Sequence, residues 1–94
     1  MTREPTHPGA VLKEIVFPAL DMPATKIAAA LGITRQSLYR VMAGEQPVTP
    51  TLALKLERFL GGDAQTWLTM QAAHDLWVKA RELKEELDRI QPAA

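Results

Sequence analysis

Apolar residues recur along this chain three and four positions apart, the mark of helices buried on one face, and no two-residue alternation lasts long enough to make a strand. Val11, Leu12, Ile15 and Val16 form the first stripe. It begins at Pro8, since proline is tolerated in a first helical turn, and is expected to stop at Phe17, ahead of Pro18. A second helix is expected from Pro23–Ala24, with Ile27 and Leu31 on one face and the small Ala28 where a neighbour can cross closely. Gly32 supplies the backbone freedom to end it. Ile33 then plugs the turn, and Thr34 can N-cap a third helix over about Arg35–Ala43, whose Leu38, Val41 and Met42 return to the same core. Two short helices joined this way, across 24–43, have the layout of a helix-turn-helix.

Beyond the loop Gly44–Val48, Thr49-Pro50 reads as a cap followed by proline at the first helical position. Leu52, Leu56, Phe59 and Leu60 give the fourth helix its stripe, Gly61-Gly62 ends it, and Asp63 can cap a fifth. No helix breaker stands between Ala64 and Gln91, so the pattern predicts one helix of roughly 40 Å, longer than a compact domain of this size. Its second half is charged. Ala73, Leu76, Ala80, Leu83, Leu87 and Ile90 follow a 3-4-3-4-3 seam, and Lys84–Asp88 and Arg81–Glu85 stand four apart as supporting pairs. A helix that outruns its domain needs a cover for that seam, and a second copy of the chain is the simplest. Trp67 and Trp77 read as core residues or, where exposed, as anchors. Together with Leu83 and Leu87 they form the expected dimer interface.

Composition narrows the classes. Ninety-four residues fit one domain; 47% hydrophobic residues with 5% aromatics suit an aliphatic, all-α core. The expected organisation is a flexible 1–7, a DNA-binding domain at 8–78 and a charged helical extension at 79–94. Without cysteine, disulfides, thiolate metal sites and thiol catalysis are excluded. No apolar run approaches the ~20 residues of a membrane span, and MTREPTHPG has no signal-peptide core, so the expected location is cytoplasmic with no membrane partner. Eleven basic and eleven acidic residues cancel, yet Pro23 to Glu45 holds Lys26, Arg35 and Arg40 against Glu45 alone. A locally basic element on a neutral chain suits selective DNA binding better than indiscriminate coating.

With Leu38, Val41 and Met42 inward, Gln36, Arg40 and Ala43 point away, flanked by Ser37 and Tyr39, while Arg35 reaches out from the helix start. Gln36 can bond adenine bidentately and Arg35 or Arg40 guanine, each worth about 1–3 kcal/mol of discrimination. Tyr39 can meet a phosphate or a thymine methyl. Thr34 stands at the cap, and Thr25 and Lys26 open the second helix where its amides can hold phosphate. Other chemistry has little support. His7 reads as a helix-start residue, and the adjacent His74 and Asp75 do not share a helix face, so no metal or cofactor is expected. Ser37 is the only serine and has no activating partner nearby in sequence; no phosphate-binding glycine motif is present, and no enzymatic activity is expected.

HPGAVLKEIVFPAL, KIAAALGITRQSLYRVMAGEQPVTPTLALKLERFLG and DAQTWLTMQAAHDLW, with its WLxxQxxxDLW block, together resemble the HigA-type antitoxins, a branch of the lambda-repressor-like helix-turn-helix proteins. The resemblance spans about Thr6–Trp77. It implies a five-helix lambda-repressor-like domain and a cytoplasmic antitoxin encoded beside a small basic HigB-type toxin that cleaves mRNA on ribosomes. Such antitoxins neutralise the toxin, dimerise and repress their own operon at an inverted-repeat operator. The DNA-reading positions it implies are Arg35, Gln36, Tyr39 and Arg40, with Ser37 beside them. Two departures stand out: Pro23 replaces the serine or threonine cap of many relatives, and the stretch beyond Trp77 is longer and more charged. The rival expectations are a stand-alone helix-turn-helix regulator with no toxin, and a protein-interaction module that uses the long helix and does not bind DNA.

Overall fold

A computed structural model describes residues 3–93 of the chain. Its elements in chain order are α1 (Pro8–Val11), a π-helical turn (Leu12–Val16), α2 (Phe17–Leu20), α3 (Ala24–Leu31), α4 (Arg35–Met42), α5 (Pro50–Leu60), α6 (Ala64–Glu82) and α7 (Lys84–Asp88). The all-α class is as expected, and the elements match the five expected helices, with the first interrupted and the last broken. Leu12, Leu31, Leu38 and Leu56 sit at the centre of one core, with Ala28 and Ala53 where helices approach most closely. Each of those leucines contributes about 1.5–3 kcal/mol by leaving water. α5 packs on α6, α3 on both α4 and α5, and α1 on α4 and α6.

Pro18 does not stop the first helix. It lies inside α2, and the turn before it widens: Phe17 donates its N–H to the Leu12 carbonyl, five residues back. An i→i+5 turn there relieves the clash between the proline ring and the preceding turn and needs no N–H from Pro18. The same widening changes which residues face inward. Residues five apart now share a face, so Leu12 and Phe17 are buried, whereas Ile15, expected in the stripe, is 67% exposed. The chain finally leaves the helix at Asp21, whose φ is 53°.

The N-terminal segment is tied to the domain at two points. His7 is the N-cap of α1, its Nδ1 accepting from the Gly9 N–H at 2.9 Å. The Pro5 carbonyl lies 2.9 Å from His74 Nδ1, and the two imidazoles meet edge to face with centroids 5.0 Å apart. Met1 and Thr2, part of the flexible stretch expected at 1–7, lie outside the described residues. Gly9 matters for its missing side chain: a Cβ there would overlap the Val41 carbonyl, so only glycine lets α1 cross α4 at this distance.

The last helix also differs from expectation. α6 ends at Glu82, Leu83 takes φ −99° and ψ 11°, and α7 runs only to Asp88; Ala94 lies outside the described residues. α7 buries no residue, so no packing holds a continuous helix through the break. Lys84 and Asp88 do pair at 3.0 Å. The expected Arg81–Glu85 pair is absent among the described residues because the break at Leu83 separates them. Arg81 instead lies over the Trp77 ring, 3.8 Å from its centre. The described residues extend 51 × 25 × 21 Å, the long axis reflecting this terminal projection.

Candidate nucleic-acid interface

α3 and α4 end in the same hydrogen-bonded device. At the end of α3, Gly32 at φ 68° donates to the Ala29 carbonyl at 3.1 Å, and Ile33 donates to that of Ala28 at 3.0 Å. At the end of α4, Gly44 at φ 77° donates to Val41 at 3.0 Å and Glu45 to Arg40 at 2.9 Å. Both are Schellman closures, which satisfy the last carbonyls and demand a left-handed residue, hence glycine. Lys55 adds a third bond to the first turn, its Nζ donating to the Gly32 carbonyl at 3.3 Å. The start of α4 is equally fixed: Thr34 Oγ1 accepts the Ser37 N–H at 3.0 Å. The angle between the helices is therefore set by short-range bonds as well as by the core.

Leu38 and Val41 are buried on the inner face of α4, with Met42 half-buried against the same core. Arg35, Gln36, Tyr39, Arg40 and Ala43 are exposed outside, with Tyr39 51% accessible. With Glu45 they line one shallow concavity. Among the described residues, Arg35, Arg40 and Lys26 make no ion pair, so all three cations face solvent uncommitted. Thr25 and Lys26 are exposed in the first turn of α3. Pro23 gives that turn no side-chain cap, and the first hydrogen bonds run only from Lys26 and Ile27 to its carbonyl. The amides of Ala24 and Thr25 are thus left for an external acceptor. Ser37 sits apart from the outer set, half-buried on the flank toward Gln46, Thr49 and Lys55.

The remaining expected site residues lie elsewhere. Trp67 packs against the core, Trp77 is half-buried beneath Arg81, Leu83 occupies the helix break and Leu87 is exposed on α7. They do not form one patch with the α4 face.

Sequence reasoning missed Gln71, buried on α6. Its Oε1 accepts the Val48 N–H at 2.8 Å, and its Nε2 donates to Asp75 Oδ1 at 2.9 Å. The glutamine and aspartate of WLxxQxxxDLW in this chain therefore form a clamp on the loop that follows α4. Its signal was a glutamine standing among apolar neighbours at helical spacing. Among the described residues, no group of three or more histidine, aspartate or glutamate side chains is placed to hold a metal ion. No helix among them is long and apolar enough to cross a membrane.

An outward cationic and amide-bearing helix, pinned at both ends and backed by a second helix, defines a helix-turn-helix protein. The family model described as helix-turn-helix matches residues 19–67, and the chain belongs to that family. Within it the chain is HigA-like. It is 35% identical over 86 residues to virulence-associated protein I of Dichelobacter nodosus, covering 92% of this chain and 79% of that one. It is 29% identical over 90 residues to antitoxin HigA-1 of Vibrio cholerae, covering 96% and 85%. Among solved structures, antitoxin GraA in complex with its operator superposes with a TM-score of 0.88 at 25% identity, covering 100% of this chain and 96% of that one. The family is one of DNA-binding regulators and antitoxins rather than a class of enzymes.

Proposed function

We propose that this chain is a dimeric, cytoplasmic antitoxin and autorepressor. It binds an inverted-repeat operator in its own promoter through α4 and neutralises a HigB-type toxin encoded beside it. The observation that carries the DNA-binding part is the outer face of α4, where Arg35, Gln36, Tyr39 and Arg40 are exposed together while Leu38 and Val41 anchor the opposite face. GraA, with the same fold, is known in complex with its operator. In this reading Arg35 and Arg40 bond guanine edges, Gln36 bonds adenine, and Tyr39 meets a phosphate or a thymine methyl. Lys26, Thr25 and the uncapped amides of α3 hold phosphate. The Thr34 hydroxyl, whose oxygen already caps α4, can still donate to phosphate, and Ser37 contributes from the flank. Two copies place their recognition helices in successive major-groove faces, with half-sites about 34 Å apart.

The test is a gel shift on the chain's own promoter with Arg35→Ala/Arg40→Ala. The double variant should lose operator binding while keeping its helical content and its capture of the neighbouring gene's product. Lys26, Arg35 and Arg40 each bring a positive charge to the duplex, at phosphate or at a base edge. If all three displace counterions, a dimer neutralises six charges, and wild-type affinity should drop about a thousandfold between 50 and 200 mM salt. Promoter binding that survives the double change would place DNA recognition elsewhere. A neighbouring frame with no small basic product would favour a stand-alone regulator, and a wild-type chain that binds no promoter DNA a protein-interaction module.

A further inference from the structure

The two Schellman closures differ at one position. The residue after the left-handed glycine usually turns back onto the helix as an apolar contact. At the end of α3 that residue is Ile33, packed against the core. At the end of α4 it is Glu45, exposed, and it lines the same concavity as Arg35, Gln36, Tyr39 and Arg40. A carboxylate thus stands where an apolar contact is ordinary, on the surface that otherwise carries cations and neutral donors.

We propose that Glu45 determines specificity within the DNA-binding reading, on which this inference rests: its carboxylate selects a cytosine amino group at the C-terminal end of α4. Position, rigidity and chemistry support this. The Glu45 N–H is bonded to the Arg40 carbonyl at 2.9 Å, so its backbone moves with the recognition helix rather than with a loose loop. Among the described residues Glu45 makes no ion pair, so its oxygens are not committed to Arg40 or Arg35. An ionised carboxylate only accepts hydrogen bonds. In the major groove the donors are the amino groups of cytosine and adenine, and guanine O6 and N7, thymine O4 and every phosphate oxygen repel it. The adenine amine lies between two acceptors, its own N7 and thymine O4. The cytosine amine has an acceptor, guanine O6, on one side only. Glu45 therefore discriminates by penalising most sequences, which is selectivity obtained through repulsion as much as through attraction.

A random-sequence duplex library selected separately with wild type, Glu45→Ala and Glu45→Gln tests this. Wild type should return a motif with cytosine fixed at one position per half-site. Glu45→Ala should lose the preference there alone, and its ratio of motif to scrambled-duplex affinity should fall on the order of tenfold at constant salt. Glu45→Gln, which can donate as well as accept, should move the preference toward adenine. Because Glu45 is exposed, both variants should melt with the wild type. Variants that return the wild-type motif at an unchanged ratio would overturn the proposal. So would variants that bind every duplex more tightly by one common factor, since that is general repulsion without base selection. A wild-type selection that yields no motif would instead end the DNA-binding reading, and this inference with it.

Discussion

The helix-turn-helix at 24–43 and the stretch from Lys79 onward both expose a polar outer side, yet they are built on opposite terms. Both ends of α4 and the end of α3 carry specific hydrogen-bonded closures, and the inner faces of both helices supply core residues. α7 has no side-chain cap and buries nothing. Its Lys84–Asp88 pair is 75% and 67% exposed, and such pairs add at most a few tenths of a kcal/mol. Polar surface on the first element is held in a fixed frame and can recognise a rigid partner. Polar surface on the second is held by little until something covers Leu87 and Ile90, which are 47% and 66% exposed.

The sharpest way to break this contrast is to remove one leucine from each region. Leu38→Ala should cost about 3 kcal/mol in a denaturant melt, because it empties a fully enclosed site beneath the recognition face. In the unassembled chain, where Leu87 is exposed, Leu87→Ala should change stability by less than about 0.5 kcal/mol, as surface substitutions do. Equal losses would mean that α7 is packed as firmly as α4. Leu83→Asp with Leu87→Asp tests the seam as a dimer interface and should yield monomers by light scattering; a persisting dimer would place the interface elsewhere.

A finer comparison uses the closures themselves. Thr34→Ala removes the acceptor for the Ser37 N–H and should cost about 1 kcal/mol, with Thr34→Ser restoring most of it. Lys84→Ala should be almost silent in the same assay. If the two changes cost the same, caps are not what distinguishes the regions.

The pattern of legibility follows the range of the interactions. Gly32, Ile33 and Thr34 act within four residues of where they stand, so a reader of the sequence can place the turn, both helices and the outward set of α4. Thr49, Pro50 and Asp63 are equally local, and the caps of α5 and α6 fall on Thr49 and Asp63 as expected. The misreadings arose where a local rule met a distant or compensating one. Pro18 is a helix breaker in isolation, but the π turn before it absorbs the clash and rotates Ile15 outward. The continuous helix over 64–91 satisfied every local preference and lacked only something to pack against. Gln71 and Val48 lie 23 positions apart and His74 and Pro5 69 apart, and no periodicity reports such pairs. Glu45 was visible as a charge, but its place on the α4 surface depends on the closure at Gly44.

The smallest expected effect concerns the histidine pair that ties the N-terminal segment to α6. Burial lowers the His7 pKa below 6.5, the neighbouring His74 pushes it the same way, and Asp75 opposes both. Its cap also requires the neutral ring, because Nδ1 must accept the Gly9 N–H. In the unfolded chain His7 takes up a proton near its ordinary pKa, whereas the folded protein resists until the pH is lower. Over that window the unfolded state binds more protons, so stability is full above about pH 6.5 and declines as the pH falls through the window. The melting temperature should therefore drop modestly between about pH 7.5 and 5.5, and α1, which crosses α4 at Gly9, should loosen first. His7→Asn keeps a good N-cap acceptor that does not titrate, so its melting curve should be flatter over the same range. An identical slope in that variant would assign the acid sensitivity to other groups, and would leave the N-terminal tie as firm as the closures of α3 and α4.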